Sequence, residues 1–347
     1  MLYLARQVAI ARPEEITMSS SMRTAVVTVA NGPFDVVECA CPTAAPGELL
    51  VRIHASGVNP LDTKIRAGSA AHAQHPCPAV LGLDMAGTVV AVGGGVVGFA
   101  VNDEVFGMIG GVGGLQGSLA QYAAVDARLV AHKPASLSMR EAAALPLAVI
   151  TAWEGLVDRA HVARGQRVLI QGGAGGVGHV AIQVALAHGA EVYATGSARN
   201  EAVIRQLGAV PIDYRTEDVA DYVARYTGNE GFDLVYDTVG GATLDASFIA
   251  ASRFGHVVSA LGWGTHLLAP LSFKGGTYSG VFSLLPLLTG TGRDHHGKIL
   301  RAAAALVEAG KLMPILDPRR FAFDTLAEAH DIVAGGRTRG KVVVDID

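Results

Sequence analysis

Gly173, Gly175 and Gly178 stand in a G-x-G-x-x-G spacing within the run Gly172-Gly173-Ala174-Gly175-Gly176-Val177-Gly178. Phosphate binding is the chemistry such a run can do. The first glycine allows a tight turn, the second lets the backbone approach a pyrophosphate, and the third lets the next helix pack closely on the strand. The backbone of Ala174, Gly176 and Val177 completes the cradle. A helix starting here also aims free N–H groups and a partial positive charge at the anion. Downstream, where a site for an unphosphorylated ribose usually carries Asp or Glu, the chain reads Thr195-Gly196-Ser197-Ala198-Arg199. A carboxylate would repel a 2′-phosphate. The Ser197 hydroxyl and the Arg199 guanidinium would hold one, so the pattern points to NADP(H).

The elements that must position these residues are legible around them. Val168-Leu169-Ile170 is a short apolar strand. The apolar run from Val180 to Leu186, stopped by Gly189, is a helix, and Val192 to Thr195 is a second strand. Strand, glycine turn, helix and strand form the β-α-β setting a dinucleotide fingerprint needs. Alternation continues with helices at Glu201 to Leu207 and Asp218 to Tyr226. Strands follow at Leu234 to Asp237 and His256 to Ala260. This pattern predicts a parallel sheet with ligands at the carboxyl ends of its strands.

The first third reads differently. Arg23 to Val29, Glu48 to Ala55, Thr88 to Val92 and Glu104 to Met108 are predicted strands, with turns such as Asn31-Gly32-Pro33 between them. In Glu48 to Ala55, Leu49, Val51 and Ile53 alternate with Leu50, Arg52 and His54, as in a half-buried strand. Glu141 opens a helical stretch that continues to Leu156. The tail adds a helix at Lys298 to Ala309 and a strand at Lys341 to Asp345. His295-His296 falls in a polar segment and reads as a solvated loop.

Composition narrows the classes. With 347 residues the chain can build two cored domains. It has no apolar run long enough for a membrane span. A net charge of −4 and a pI near 6.3 give no reason to expect nucleic acid or an anionic membrane. Cys39, Cys41 and Cys77 form no disulfide framework, which fits a reducing cytoplasm. Residues 1–21 read as a flexible extension.

Several motifs in one order resemble the zinc-independent, zeta-crystallin-like quinone oxidoreductases of the medium-chain dehydrogenase/reductase superfamily. They are Ser56-Gly57-Val58-Asn59-Pro60-Leu61-Asp62, Gly82-Leu83-Asp84-Met85-Ala86-Gly87, the glycine fingerprint, Asp237-Thr238-Val239-Gly240-Gly241 and Gly340-Lys341-Val342. The resemblance implies an α/β fold in two domains. A GroES-like catalytic domain would hold residues 22–146 and 290–347, and a Rossmann domain residues 147–289. The substrate cleft would lie between them, and dimers or tetramers would form through the cofactor-domain sheets.

The resemblance also assigns residues. Zinc alcohol dehydrogenases have Cys where this chain has Asn59, His-Glu where it has Leu83-Asp84, and Cys near Leu147; they also carry a four-cysteine structural lobe that is missing here. Leucine offers zinc no lone pair, so no metal is assigned. Alcohol oxidation in this fold leans on that zinc. Hydride transfer to a quinone or an α,β-unsaturated carbonyl needs only hydrogen-bond donors for the developing oxyanion. Asn59 is the candidate donor, Lys64 the candidate proton source, and Thr151 a candidate contact to the nicotinamide. Tyr214 would flank the adenosine phosphate, Val239, Ser259 and Leu261 would border the nicotinamide, and Lys341 would add charge from the tail. Gln116, Tyr122 and Trp263, with the glycine-rich stretch Gly107 to Gln121, are expected at the substrate pocket. The alternatives are a reductase of enoyl thioesters or other activated alkenes, and a non-catalytic NADPH-binding sensor.

Overall fold

The computed structural model describes residues 21–346. The expected extension, residues 1–21, lies outside them except for Ser21, which opens the first strand opposite Ala40. In chain order the strands are Ser21–Val27 (β1), Asp35–Ala40 (β2), Glu48–Val58 (β3), Ala79–Val80 (β4), Asp84–Val92 (β5), Glu104–Met108 (β6), Tyr122–Asp126 (β7) and Val130–His132 (β8). There follow Arg167–Gln171 (β9), Glu191–Gly196 (β10), Val210–Asp213 (β11), Phe232–Asp237 (β12), Ala251–Ser259 (β13), Thr277–Gly280 (β14) and Val342–Asp345 (β15).

They make three sheets. β1 runs antiparallel to β2 and β4. A larger antiparallel sheet has the order β15-β3-β5-β6-β8, with β7 also paired to β3. The third is parallel throughout, in the order β11-β10-β9-β12-β13-β14. Its strand order reverses between β9 and β12, the crevice where doubly wound sheets take ligands. This is the GroES-like plus Rossmann architecture, and β15 carries the end of the chain back to the N-terminal strands.

Burial explains the elements. In β9, Val168, Leu169 and Ile170 are all fully buried, as a central parallel strand covered on both faces requires. Each such side chain contributes about 1.5–3 kcal/mol. The helix Gly178–Ala187 buries Val180, Ala181, Ile182, Val184 and Ala185 against the sheet.

Two expectations are corrected and one, the helical stretch, is refined. β3 does not alternate at its start: Leu49, Leu50 and Val51 are all fully buried. The strand is flanked on both edges, and its register with β5 shifts between Leu50 and Val51, which breaks the two-residue period. The stretch from Glu141 to Leu156 is not one helix but Met139–Ala143, Pro146–Trp153 and a π-helical turn, Glu154–Arg159. Pro146 lacks the N–H that would continue the first piece. In the π turn, a Cβ on Gly155 would fall 2.8 Å from the Tyr236 ring, whose hydroxyl donates to the Thr151 carbonyl at 2.7 Å. His295-His296 is no solvated loop: it lies in the helix Arg293–Glu308, and His296 is fully buried 3.5 Å from Glu154.

Candidate active site

At the carboxyl end of β9 the chain turns through Gly172, the member of the glycine run with a positive φ, +76°. The tight turn therefore sits one residue before the predicted Gly173. Gly173 is constrained by packing, since a Cβ there would lie 2.6 Å from Ala194 Cβ. At Gly178 a Cβ would meet the Gly172 carbonyl oxygen at 2.1 Å. Gly173 and Gly178 sit behind the loop, whereas Ala174, Gly175, Gly176 and Val177 line a cleft of about 860 Å³. No side chain caps the helix that begins at Gly178; the N–H groups of His179, Val180 and Ala181 go to the carbonyls of Gly175 and Val177, which leaves the loop amides of Ala174, Gly176 and Val177 to face a ligand.

The next strand end braces the turn. Thr195 accepts from the Gly172 N–H at 3.0 Å and donates to Gln171 Oε1 at 2.8 Å. Ser197 and Arg199 both line the cleft, as does Tyr214. Ser197 is buried, and its Oγ has no hydrogen-bond partner among the described residues. Arg199 has no acidic partner there either. Glu217 and Asp218 also border the cleft, but both are engaged: Glu217 with Arg225 at 3.1 Å, Asp218 as the cap of the helix Val219–Thr227. An orphaned hydroxyl, an unpaired guanidinium and a wall without a free carboxylate fit a 2′-phosphate. The rest of the cradle fits a dinucleotide.

Across the cleft, β3 ends at Val58, and Asn59 starts the helix Pro60–Arg66 in extended conformation. Its N–H donates to Asp62 Oδ2 at 2.7 Å. Its side chain lies between two charges. Nδ2 donates to Asp84 Oδ2 at 2.9 Å, and Oδ1 accepts from the Lys341 ammonium. A lysine can only donate and an ionised carboxylate can only accept, so the orientation of the amide is unambiguous. One Nδ2 hydrogen is left over beside the cleft.

Lys341 reaches this point because β15 pairs antiparallel with β3, Val342 opposite Val58. Its Nζ is 4.0 Å from Asp84 Oδ2, and Asp84 Oδ1 accepts from the Leu147 N–H at 2.9 Å. All these groups are buried. Loss of water pushes Asp84 up to about 6 and Asp62 up to about 7, and it lowers the Lys341 ammonium, which the two carboxylates oppose. This cluster occupies the place where the zinc enzymes carry their ligands. Asp84 spends both oxygens on donors, Asn59 spends its oxygen on an ammonium, and Leu83 is a fully buried hydrocarbon. These residues do not fit a catalytic zinc.

Lys64 is exposed and lines the cleft. Thr151 lines it too, with its hydroxyl 3.2 Å from that of Ser283. Val239 and Leu261 border it. Ser259 does not: it donates to Asp237 Oδ2 at 2.7 Å and accepts from the Leu261 N–H, so it shapes the strand ends from behind. Gln116 and Tyr122 also lie off the cleft, with Gln116 donating to the Tyr122 carbonyl. The whole stretch Gly107 to Gln121 is off it as well, and parts of it are closely packed; a Cβ on Gly110 would fall 1.9 Å from the Gln116 carbonyl. The cleft adds residues the sequence reading passed over: Gln171, Ser283 and the rings of His72 and Phe282. Asp84 lay inside a quoted motif, and Lys341, expected at the cofactor, lines the cleft beside Gly176 and also reaches Asn59.

Comparison with known proteins agrees with this geometry. Residues 45–135 match the alcohol dehydrogenase GroES-like domain, and residues 207–344 match the zinc-binding dehydrogenase family. The chain is 36% identical to a 2-methylene-furan-3-one reductase of Solanum lycopersicum, over 90% of this chain and 76% of that one. It is 28% identical to a quinone oxidoreductase of Homo sapiens, over 88% and 92% respectively. Among solved structures, an alcohol dehydrogenase superfamily protein from Novosphingobium aromaticivorans superposes with a TM-score of 0.93 at 61% identity, over 94% of this chain and all of that one.

Proposed function

The chain belongs to the quinone oxidoreductase family of the medium-chain dehydrogenase/reductase superfamily, and from that premise we propose a zinc-independent, NADPH-dependent reductase of quinones and α,β-unsaturated carbonyls. The observation that carries it is the shared cleft: the glycine turn forms one wall, and Asn59, held by Asp84 and Lys341, forms the other. NADPH bound there would supply the hydride. Ala174 to Val177 would hold its pyrophosphate, with Gly173 and Gly178 behind them, and Ser197, Arg199 and Tyr214 its adenosine phosphate. Thr151, Val239 and Leu261 would border the nicotinamide. The free Nδ2 hydrogen of Asn59 donates to the acceptor's carbonyl oxygen and steadies the charge that develops on it. Lys64 returns the proton.

Two domains, with limits near residues 146 and 290, would enclose the cleft. The exposed edge strand β14, with Phe254 and Phe273 exposed nearby, supports assembly into dimers or tetramers through the parallel sheets. Among the described residues no helix is long and apolar enough to cross a membrane. A cytoplasmic site of action goes with this reading.

The test is oxidation of NADPH by metal-free protein with a naphthoquinone, a short enone, a 2-alkenal and a crotonyl thioester, with NADH in parallel. Turnover of quinone or enone, faster with NADPH, supports the reading. Thioester turnover alone would move it to enoyl reduction, and NADPH binding without turnover would move it to a sensor. Arg199→Ala is expected to lower kcat/KM for NADPH about 10- to 100-fold, the scale of a lost charged hydrogen bond, and to leave NADH nearly untouched. An equal loss with both cofactors would remove Arg199 from the phosphate site. Lys64→Ala should lower kcat on an enone about 100-fold with NADPH affinity intact. Wild-type kcat in that variant would end the proton role.

A further inference from the structure

Three rings meet in the cleft, each from a different segment. His72 comes from the short turn Ala71–Ala73, Trp263 from the loop after β13, and Phe282 from the segment after β14. The His72 and Trp263 rings are 5.0 Å apart and tilted by 35°, too close to admit a third ring between them. Phe282 stands edge-on to Trp263, at 6.2 Å and 87°. The His72 and Phe282 centroids are also 6.2 Å apart, so together the three rings form a corner in which each touches the other two. Trp263 is still 53% exposed, a large open surface for an indole.

The corner is braced. His266 Nδ1 donates to Asp245 Oδ1, 2.9 Å away, and its other ring nitrogen faces the Trp263 carbonyl oxygen at 3.1 Å, which ties the tryptophan loop to the helix Ala242–Ala250. The cleft surface around the corner is hydrocarbon, including Leu61, Leu147, Val281 and Leu284. An indole held by two neighbouring rings, half exposed and lining a largely apolar cleft, is a stacking platform for a flat ring.

We propose that Trp263, buttressed by His72 and flanked by Phe282, is the specificity-determining surface of the site, selecting acceptors that carry a planar ring beside the reacting double bond over acyclic ones. The inference rests on the reductase reading above. It concerns the group attached to the acceptor, not the acceptor's class.

The test compares two enones that differ only there, 4-phenyl-3-buten-2-one and 3-penten-2-one, with a naphthoquinone as a third acceptor. In the wild type, kcat/KM for the phenyl enone divided by that for the methyl enone sets the reference. Trp263→Ala is expected to lower this ratio about five-fold, with NADPH affinity unchanged, and Trp263→Phe to restore most of it. His72→Leu should lower it less, since His72 is the smaller ring and chiefly supports Trp263. A ratio within two-fold of wild type in Trp263→Ala overturns the proposal, as does a phenylalanine variant no better than alanine. Those outcomes leave the reductase reading standing wherever the quinone or the methyl enone still turns over. No turnover of any acceptor in the wild type would sink that reading and this inference with it.

Discussion

Lys341→Met is expected to destabilise the fold by about 3 kcal/mol at about pH 8, because it removes one partner of a buried charged cluster and leaves the other behind. Lys341 and Asp84 are both buried, and no other cation is within reach of Asp84 in the described contacts. Asn59 Oδ1 would lose its donor in the same step. The pH dependence has a definite sign. Burial already pushes the Asp84 carboxyl up to about 6 against the pull of the ammonium, so losing the ammonium raises it further. Between the ordinary carboxylate range and that raised value, the folded variant keeps a proton that the unfolded chain has released. Its stability must then fall as pH rises, and the gap to wild type should be small near pH 5 and wide near pH 8. The double variant Lys341→Met, Asp84→Asn should recover much of the loss. With the ammonium gone, Asn59 can turn its amide over and accept from the new one, while Leu147 keeps its acceptor. Denaturant melts at the two pH values decide the matter. A single variant as stable as wild type at the higher pH, or a double variant no better than the single, would show that the cluster is not the charge-balanced unit described here.

What the sequence showed and hid follows from the range of the interactions. The β-α-β unit around Gly173 to Gly178 is local. Its strand, turn and helix are each marked by period and composition, and the structure differs only in moving the tight turn to Gly172. The role of Lys341 is the opposite case. Its contact with Asn59 spans 282 residues and exists because β15 pairs with β3, so no local pattern carries it. The corner of His72, Trp263 and Phe282 is likewise assembled from separate segments; Trp263 was expected at the substrate pocket, but nothing local to it announces its two ring partners. His296 misled for a related reason. The segment Arg293-Asp294-His295-His296 is polar, but one helical turn sends His295 to Asp158 at the surface and His296 inward to Glu154. The stretch from Gly107 to Gln121 was expected at the substrate pocket, whereas Gly107, Gly110 and Gly117 are there because neighbouring backbone leaves no room for Cβ.

Gly176→Val should abolish productive NADPH binding without harming the fold, and the contrast with Gly178→Ala makes the argument. Gly176 does not have a positive φ; it is exposed, and the nearest atom to a Cβ built there is Lys341 Cδ at 3.5 Å, an ordinary contact. The protein alone therefore gives no reason for glycine at this position. Yet the residue lines the cleft at the mouth of the phosphate cradle, so a side chain intrudes only on what enters. Affinity for NADPH is expected to fall at least about 100-fold, roughly 3 kcal/mol, while the melting temperature stays near that of wild type. Gly178 differs, because its Cβ would meet the Gly172 carbonyl oxygen at 2.1 Å, and the backbone itself must move. Gly178→Ala should lose both binding and stability. Calorimetric titration with NADPH, paired with thermal melts of the same samples, separates the two. Wild-type affinity in Gly176→Val would mean that the pyrophosphate does not approach the backbone there, and the cofactor would have to be placed elsewhere in the cleft.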